Sequence, residues 1–196
     1  MYTKRQMAVI YVAATLTVAF AGAATWIEMK PPEKALERYR TLPDFSLTNQ
    51  DGQQVALGDY RGKVWLADFV YTTCPGPCPI ISAHMARLQR EIPDEARMVS
   101  FSTDPDNDTP PVLKAYAKRF GATERWTFLT GPRDAMYSLI QQGFMLPIMA
   151  PAGERIVHST RMMLVDKTGQ VRGFYDGTTA DADPQIIADI RRLLEE

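Results

Sequence analysis

Between Lys63 and Ile92 the chain sets an apolar run, a proline- and glycine-rich turn and an amphipathic stretch end to end, and few folds accept that order. Lys63 to Tyr71 (KVWLADFVY) reads as a central strand buried on both faces, because it lacks the alternation that one solvated face would impose. Beyond it Cys78, Ile81, Met85, Leu88 and Ile92 recur three and four residues apart, which is one face of a helix predicted over 79–92. A strand, a turn and a helix in that order put the turn at the carboxyl edge of a sheet, where open α/β folds place their sites.

The flanking patterns extend this unit. Phe45 to Leu47 and Val55 to Leu57 enclose Asn49-Gln50-Asp51-Gly52, a hairpin signal. Met98 to Phe101 reads as a strand, and Asp108-Thr109-Pro110 as an N-cap and start of a helix reaching about Phe120. A short strand at Thr127 to Leu129 precedes a helix from Arg133 to Gln142 that Gly143 ends. Arg161 to Asp166 and Val171 to Tyr175 form a second hairpin around residues 167–170, and Asp183-Pro184 opens a last amphipathic helix ending near Leu194. Helices alternating with strands and a closing hairpin predict an α/β fold, a mixed sheet flanked by helices.

The amino terminus is of another kind. Met7 to Ile27 contains no charged side chain, and twenty-one residues make about 32 Å of helix, enough to cross a hydrocarbon core of ~30 Å. Lys4 and Arg5 precede the run and Glu28 follows it, so the positive-inside rule leaves the amino terminus in the cytoplasm and exports the rest. A signal peptide cut near Ala21-Gly22-Ala23 is the rival, but the apolar run continues past that site to Ile27. The expected organisation is a cytoplasmic end at 1–6, a transmembrane helix at 7–27, a linker at 28–41 and one domain at 42–196. The expected location is a bacterial inner membrane, with the domain in the periplasm or outside the cytoplasm.

Charge and cysteine count narrow the chemistry. The chain has 22 basic and 23 acidic residues, which argues against a nucleic-acid partner. Both basic residues of the first 27 stay inside, so the exported part is mildly acidic. Its two cysteines, Cys74 and Cys78, exclude a disulfide-rich scaffold, a four-cysteine zinc site and an iron–sulfur cluster held by this chain alone. They lie where a helix start lowers a thiol pKa, in a loop stiffened by Pro75, Pro77 and Pro79. Disulfide exchange, binding of a soft metal such as Cu(I) or zinc, and a structural disulfide all remain open to such a pair. Two histidines are present: His84 reads as a partly exposed helix residue, and His158 lies just before a strand, within range of the cysteine turn.

Several motifs, in order along the chain, resemble the Sco/SenC copper proteins. They are Asp68-Phe69-Val70-Tyr71-Thr72-Thr73-Cys74-Pro75-Gly76-Pro77-Cys78-Pro79, Ser102-Thr103-Asp104-Pro105 with Asp108-Thr109-Pro110, Phe128-Leu129-Thr130-Gly131, and His158-Ser159-Thr160-Arg161 leading to Gly173-Phe174-Tyr175-Asp176-Gly177. The resemblance spans about residues 42–194. It implies a thioredoxin-like domain binding one copper ion, as Cu(I) or Cu(II), through Cys74, Cys78 and His158. It also implies a metallochaperone, a thiol reductase, or both, serving the binuclear copper centre of cytochrome c oxidase subunit II or another cuproprotein, with copper received from a donor chaperone. If the protein acts as a reductase, Cys74 and Cys78 are its redox pair.

Other residues read as supporting. Asp68 is a buried acid able to tune a thiol or move a proton; Asp104 either orients a ligand or caps its turn. Tyr71 and Phe69 either wall the site or fill the core. Met145 and Met149 are thioether candidates or part of a docking loop. A metal-free thiol-disulfide oxidoreductase is the rival function. The CxxxC spacing, and the lack of a proline just before the 161–166 strand, depart from the usual thioredoxin pattern. A peroxidase of the peroxiredoxin type fits poorly, since Tyr71 stands where that chemistry uses threonine.

Overall fold

The apolar run around Trp65 becomes β4 (Trp65–Val70), and all six of its residues are buried because it lies in the middle of the sheet. The computed structural model describes residues 5–7, 11, 15, 17, 35–147 and 159–196. Most of the predicted membrane span at 7–27 lies outside them, and among the described residues no helix is long and apolar enough to cross a membrane. Leu36–Glu196 form one compact unit.

In that unit β4 is followed by α1 (Pro77–Leu88), β5 (Arg97–Ser102), α2 (Pro110–Arg119) and β6 (Trp126–Thr130). Strands β4, β5 and β6 run parallel in register, with Leu66 beside Met98 and Met98 beside Trp126. The hairpin of β2 (Ser46–Asn49) and β3 (Gln54–Ala56) adds antiparallel to β6. On the other side β7 (Arg161–Val165) pairs antiparallel with β4, and β8 (Gln170–Asp176) with β7. The edge strand β1 (Arg40–Thr41) pairs with β8. The sheet is therefore mixed, in the order β1-β8-β7-β4-β5-β6-β2-β3, as the alternation of patterns predicts.

Strand alternation divides the core. Leu66 and Val70 pack with α1, α2 and α4 (Asp183–Glu195) on one face. Trp65, Ala67 and Phe69 face the other layer, built from the turn at Leu57–Tyr60 and from α3 (Arg133–Ser138) with the wider π turn that continues it over Leu139–Gly143. The sequence pattern predicts plain helix to Gln142, whereas the last turn widens to a π turn that ends where Gly143 presses on Pro43, leaving 2.9 Å for a Cβ. The cysteine helix also starts two residues earlier than its pattern predicts, at Pro77, since proline suits a first turn. It closes at Leu88, yet Ile92 still packs with the same face. Residues 36–41, assigned above to a linker, join the compact unit through β1 and backbone bonds such as the Tyr39 N–H to the Val171 carbonyl, 3.0 Å.

Candidate metal centre

Cys74 closes the turn that leaves β4, its N–H donating to the Tyr71 carbonyl at 3.2 Å. Cys78 lies in the first turn of α1. Both are free thiols and both are buried, Cys78 fully and Cys74 at 7% exposure. Burial pushes the Cys74 thiol up, but the Cys78 N–H and thiol, the Gly76 N–H and the Tyr71 hydroxyl outweigh it, so Cys74 sits below the ordinary thiol value. The Gly76 N–H lies 3.4 Å from its Sγ. Cys78 is pushed well above that value by burial, opposed by the Tyr71 backbone and reinforced by Cys74 and the charge of Asp68. The pair is asymmetric: Cys74 tolerates negative charge and Cys78 holds its proton.

The strand after His158 returns to the same edge. Met163 of β7 pairs with Ala67 of β4, and carrying this antiparallel register on sets Arg161 opposite Phe69, at the end of β4 that leads into Cys74. Ser159 and Thr160 precede it there. His158 itself lies outside the described residues, as does Met149. Among the described residues no group of three or more Cys, His, Asp or Glu is placed to hold a metal.

Asp68 is fully buried. Alternation puts it on the cysteine-helix face, where the Ser100 hydroxyl donates to its Oδ1 at 2.5 Å while its Oδ2 has no partner among the described residues. Burial raises its pKa from 3.8 to about 7, against the Ser100 bond. Of the two aromatics, Tyr71 packs in the cysteine cluster and reaches Cys74, while Phe69 points to the opposite layer and stacks on Phe101. Asp104 caps its turn, accepting from the Asn107 amide at 2.7 Å.

Asp108 departs from its predicted role. Thr109 occupies the N-cap position of α2, and Asp108 turns inward instead. There it accepts from the Thr72 N–H at 3.1 Å, the Thr72 hydroxyl at 2.6 Å and the Ser102 hydroxyl at 2.7 Å, so it holds the loop two residues before Cys74. An Asp-Thr-Pro run carries both readings; what separates them is Thr72, 36 residues away. His84 also departs from its reading. It is buried, bonded through Nδ1 to the Gly177 carbonyl and through Nε2 to Asp183. Met145 is exposed and lines an open cavity with Tyr39, Ser159, Arg161 and Phe174.

The family model SCO1/SenC matches residues 33–195. The SCO1 protein homolog of Bacillus subtilis is 36% identical over 153 residues, covering 75% of this chain and 79% of that one. A protein of Stutzerimonas stutzeri described as a putative copper-binding protein is 31% identical over 147 residues, covering 70% of each. Among solved structures, BsSco, described as a member of the Sco family of cytochrome c oxidase assembly proteins with a disulfide switch, superposes with a TM-score of 0.75 at 31% identity. That match covers 83% of this chain and 99% of the other.

Proposed function

Because the chain belongs to the SCO1/SenC family, we propose that it is a membrane-anchored copper metallochaperone of a bacterial envelope, holding one copper ion through Cys74, Cys78 and His158. Its target is a cuproprotein, with the binuclear copper centre of cytochrome c oxidase subunit II as the first choice. The observation that carries this reading is the reduced Cys74–Cys78 pair at the carboxyl edge of the sheet, with the start of β7 returning to that edge. Two thiolates neutralise and favour Cu(I), and an imidazole also accommodates Cu(II), so this donor set fits either state of the cargo. Three protein donors leave a position at which a recipient's ligand starts the transfer. The membrane assignment is supported by the uncharged stretch at 7–27, flanked by Lys4 and Arg5.

The thiol asymmetry supports a second use of the same pair. The Cys74 thiolate attacks a substrate disulfide and expels one of its sulfurs as thiolate; Cys78 then gives up its proton, attacks Cys74 in the mixed disulfide and releases the second substrate thiol, leaving the Cys74–Cys78 disulfide and a reduced substrate. Formation of the Cys74–Cys78 disulfide removes both thiolates, so copper loading and thiol oxidation exclude each other. Titration of the reduced chain with Cu(I) and Cu(II), followed by absorption and EPR, tests the metal reading. One copper is expected per chain, with binding abolished in Cys74→Ser and Cys78→Ser and weakened in His158→Ala. Unchanged affinity and spectrum in His158→Ala overturn the three-ligand site, and full disulfide-reductase turnover in that variant favours the second use.

A further inference from the structure

One imidazole joins the cysteine helix to the strand that follows His158. His84 lies six residues after Cys78 in α1, on the flank of the buried face, and is itself buried. Its Nδ1 is 2.9 Å from the carbonyl oxygen of Gly177, the residue after β8. A carbonyl only accepts, so Nδ1 carries a proton and donates it. Nε2 faces Asp183 Oδ1 at 2.5 Å, and the other oxygen of Asp183 is taken by Arg87. The N–H of Gly177 in turn donates to the carbonyl of Thr160 at 2.7 Å. Nothing larger than glycine fits between them: a Cβ on Gly177 would stand 2.7 Å from the Thr160 oxygen and 3.2 Å from Ile81, three residues after Cys78. One residue's two backbone groups thus connect α1 to Thr160, the residue just before β7.

We propose that His84 is a positioning residue: through Gly177 it clips Thr160 to the cysteine helix, and so sets the reach of His158, two residues upstream, toward the thiols. This rests on the reading of His158 as the third copper ligand. A ligand offered from a backbone already held in place costs less ordering free energy when the ion binds. Groups hydrogen-bonded directly to a ligand move metal affinity by about 10- to 100-fold, and His84, acting through two hydrogen bonds and two residues of backbone, belongs at the low end of that range.

A purely stabilising role for His84 would run through the other nitrogen, in the ion-pair cluster with Asp183 and Arg87, and two isosteric variants separate the roles. His84→Asn keeps a donor near the Nδ1 position, facing Gly177. His84→Gln keeps one near the Nε2 position, facing Asp183. The full-length reduced chain is compared with both variants and with His158→Ala, by amide exchange at Gly177 without metal and by Cu(II) titration with EPR. In His84→Gln, exchange at Gly177 should quicken at least about 10-fold and copper affinity fall about 10-fold, the EPR spectrum shifting toward that of His158→Ala. His84→Asn should lose no more than about 3-fold in either measurement, since it retains the bond to Gly177. Equal losses in the two variants, or a His84→Gln protein that behaves as the wild type while His158→Ala binds weakly, overturn the brace and leave the three-ligand reading standing. Wild-type binding by His158→Ala overturns that reading, and this proposal falls with it whatever the exchange at Gly177 shows.

Discussion

Asp68 bears a cost that its neighbours in β4 do not. Leu66, Ala67, Phe69 and Val70 lose only apolar surface to the core, whereas Asp68 buries a carboxyl with one oxygen unpaired among the described residues. Its folded pKa of about 7 lies above the ordinary 3.8, so the native state binds its proton more tightly than the unfolded chain does. The stabilisation linked to this proton is complete below about pH 4 and is lost as the pH rises to about 7, on the order of 4 kcal/mol in all. In the metal-free protein Asp68→Asn should flatten this slope. Urea midpoints of the two proteins should therefore diverge steadily in the variant's favour from pH 4.5 to 7.5, and parallel curves would show that the carboxyl carries no linked proton. The same local logic separates the thiols, since Cys74 is helped toward its anion by four donors and Cys78 is held back. Iodoacetamide at pH 7 followed by peptide mapping should find Cys74 modified at least about 10-fold faster than Cys78. Reaction at equal rates would remove the asymmetry on which the exchange reading depends.

Between elements, the cysteine loop is held from the side by Asp108, which ties Thr72 to Ser102 across the parallel pair β4 and β5. Three donors converge on one buried carboxylate, and burial raises its pKa even against the Thr72 and Ser102 bonds. Asp108→Ala leaves those donors without an acceptor and should cost about 3 kcal/mol in urea unfolding. It should also speed amide exchange at Thr72 while leaving the exchange of β2 and β3 unchanged. Uniform acceleration across the sheet would instead mark a general loss of packing. The strands other than β1, the two hairpins and most helix starts were legible because their signals are local: alternation, a 3–4 spacing, a proline in a first turn. Cys74 and Cys78 were legible as a pair for the same reason. The inward turn of Asp108 and the burial of His84 were not, because each is decided by a partner far along the chain, Thr72 in one case and Gly177 with Asp183 in the other. Phe69 and Tyr71 show the boundary from the other direction: period two assigns them one face, but β4 ends at Val70, so Tyr71 turns into the cysteine cluster while Phe69 stays in the opposite layer.

The two ends of the compact unit meet on Arg172 of β8. Its side chain is 2% exposed, and all five guanidinium donors are engaged. They reach the carbonyls of Leu36 and Glu37 before β1, Asp166 in the β7–β8 turn, and both carboxylate oxygens of Glu196 after α4. This hub explains why the ordered unit begins before Leu42: a two-residue edge strand carries no periodic signal, and its partner lies some 130 residues away. Asp166 opposes its own burial with bonds from Thr168, Gln170 and Arg172, which hold its pKa below 3.8. Its contribution is therefore present above the ordinary carboxylate value and disappears as the pH falls through the lower folded one. Arg172→Met leaves Asp166 buried without its cation, and breaking a buried pair in this way costs about 3–5 kcal/mol. Arg172→Lys should recover little of that, since one ammonium cannot replace a planar fork with five donors. Thermal unfolding of the wild type and both variants between pH 3 and pH 7 measures this. Asp68 gains its linked stability over the same acidification in all three proteins, so the difference between them isolates Asp166: Arg172→Met should start lower and its gap to the wild type should narrow toward pH 3, because its Asp166 has lost part of what depresses its pKa. A lysine variant as stable as the wild type would show that charge alone, rather than the five-donor geometry, joins the amino-terminal segment to the sheet.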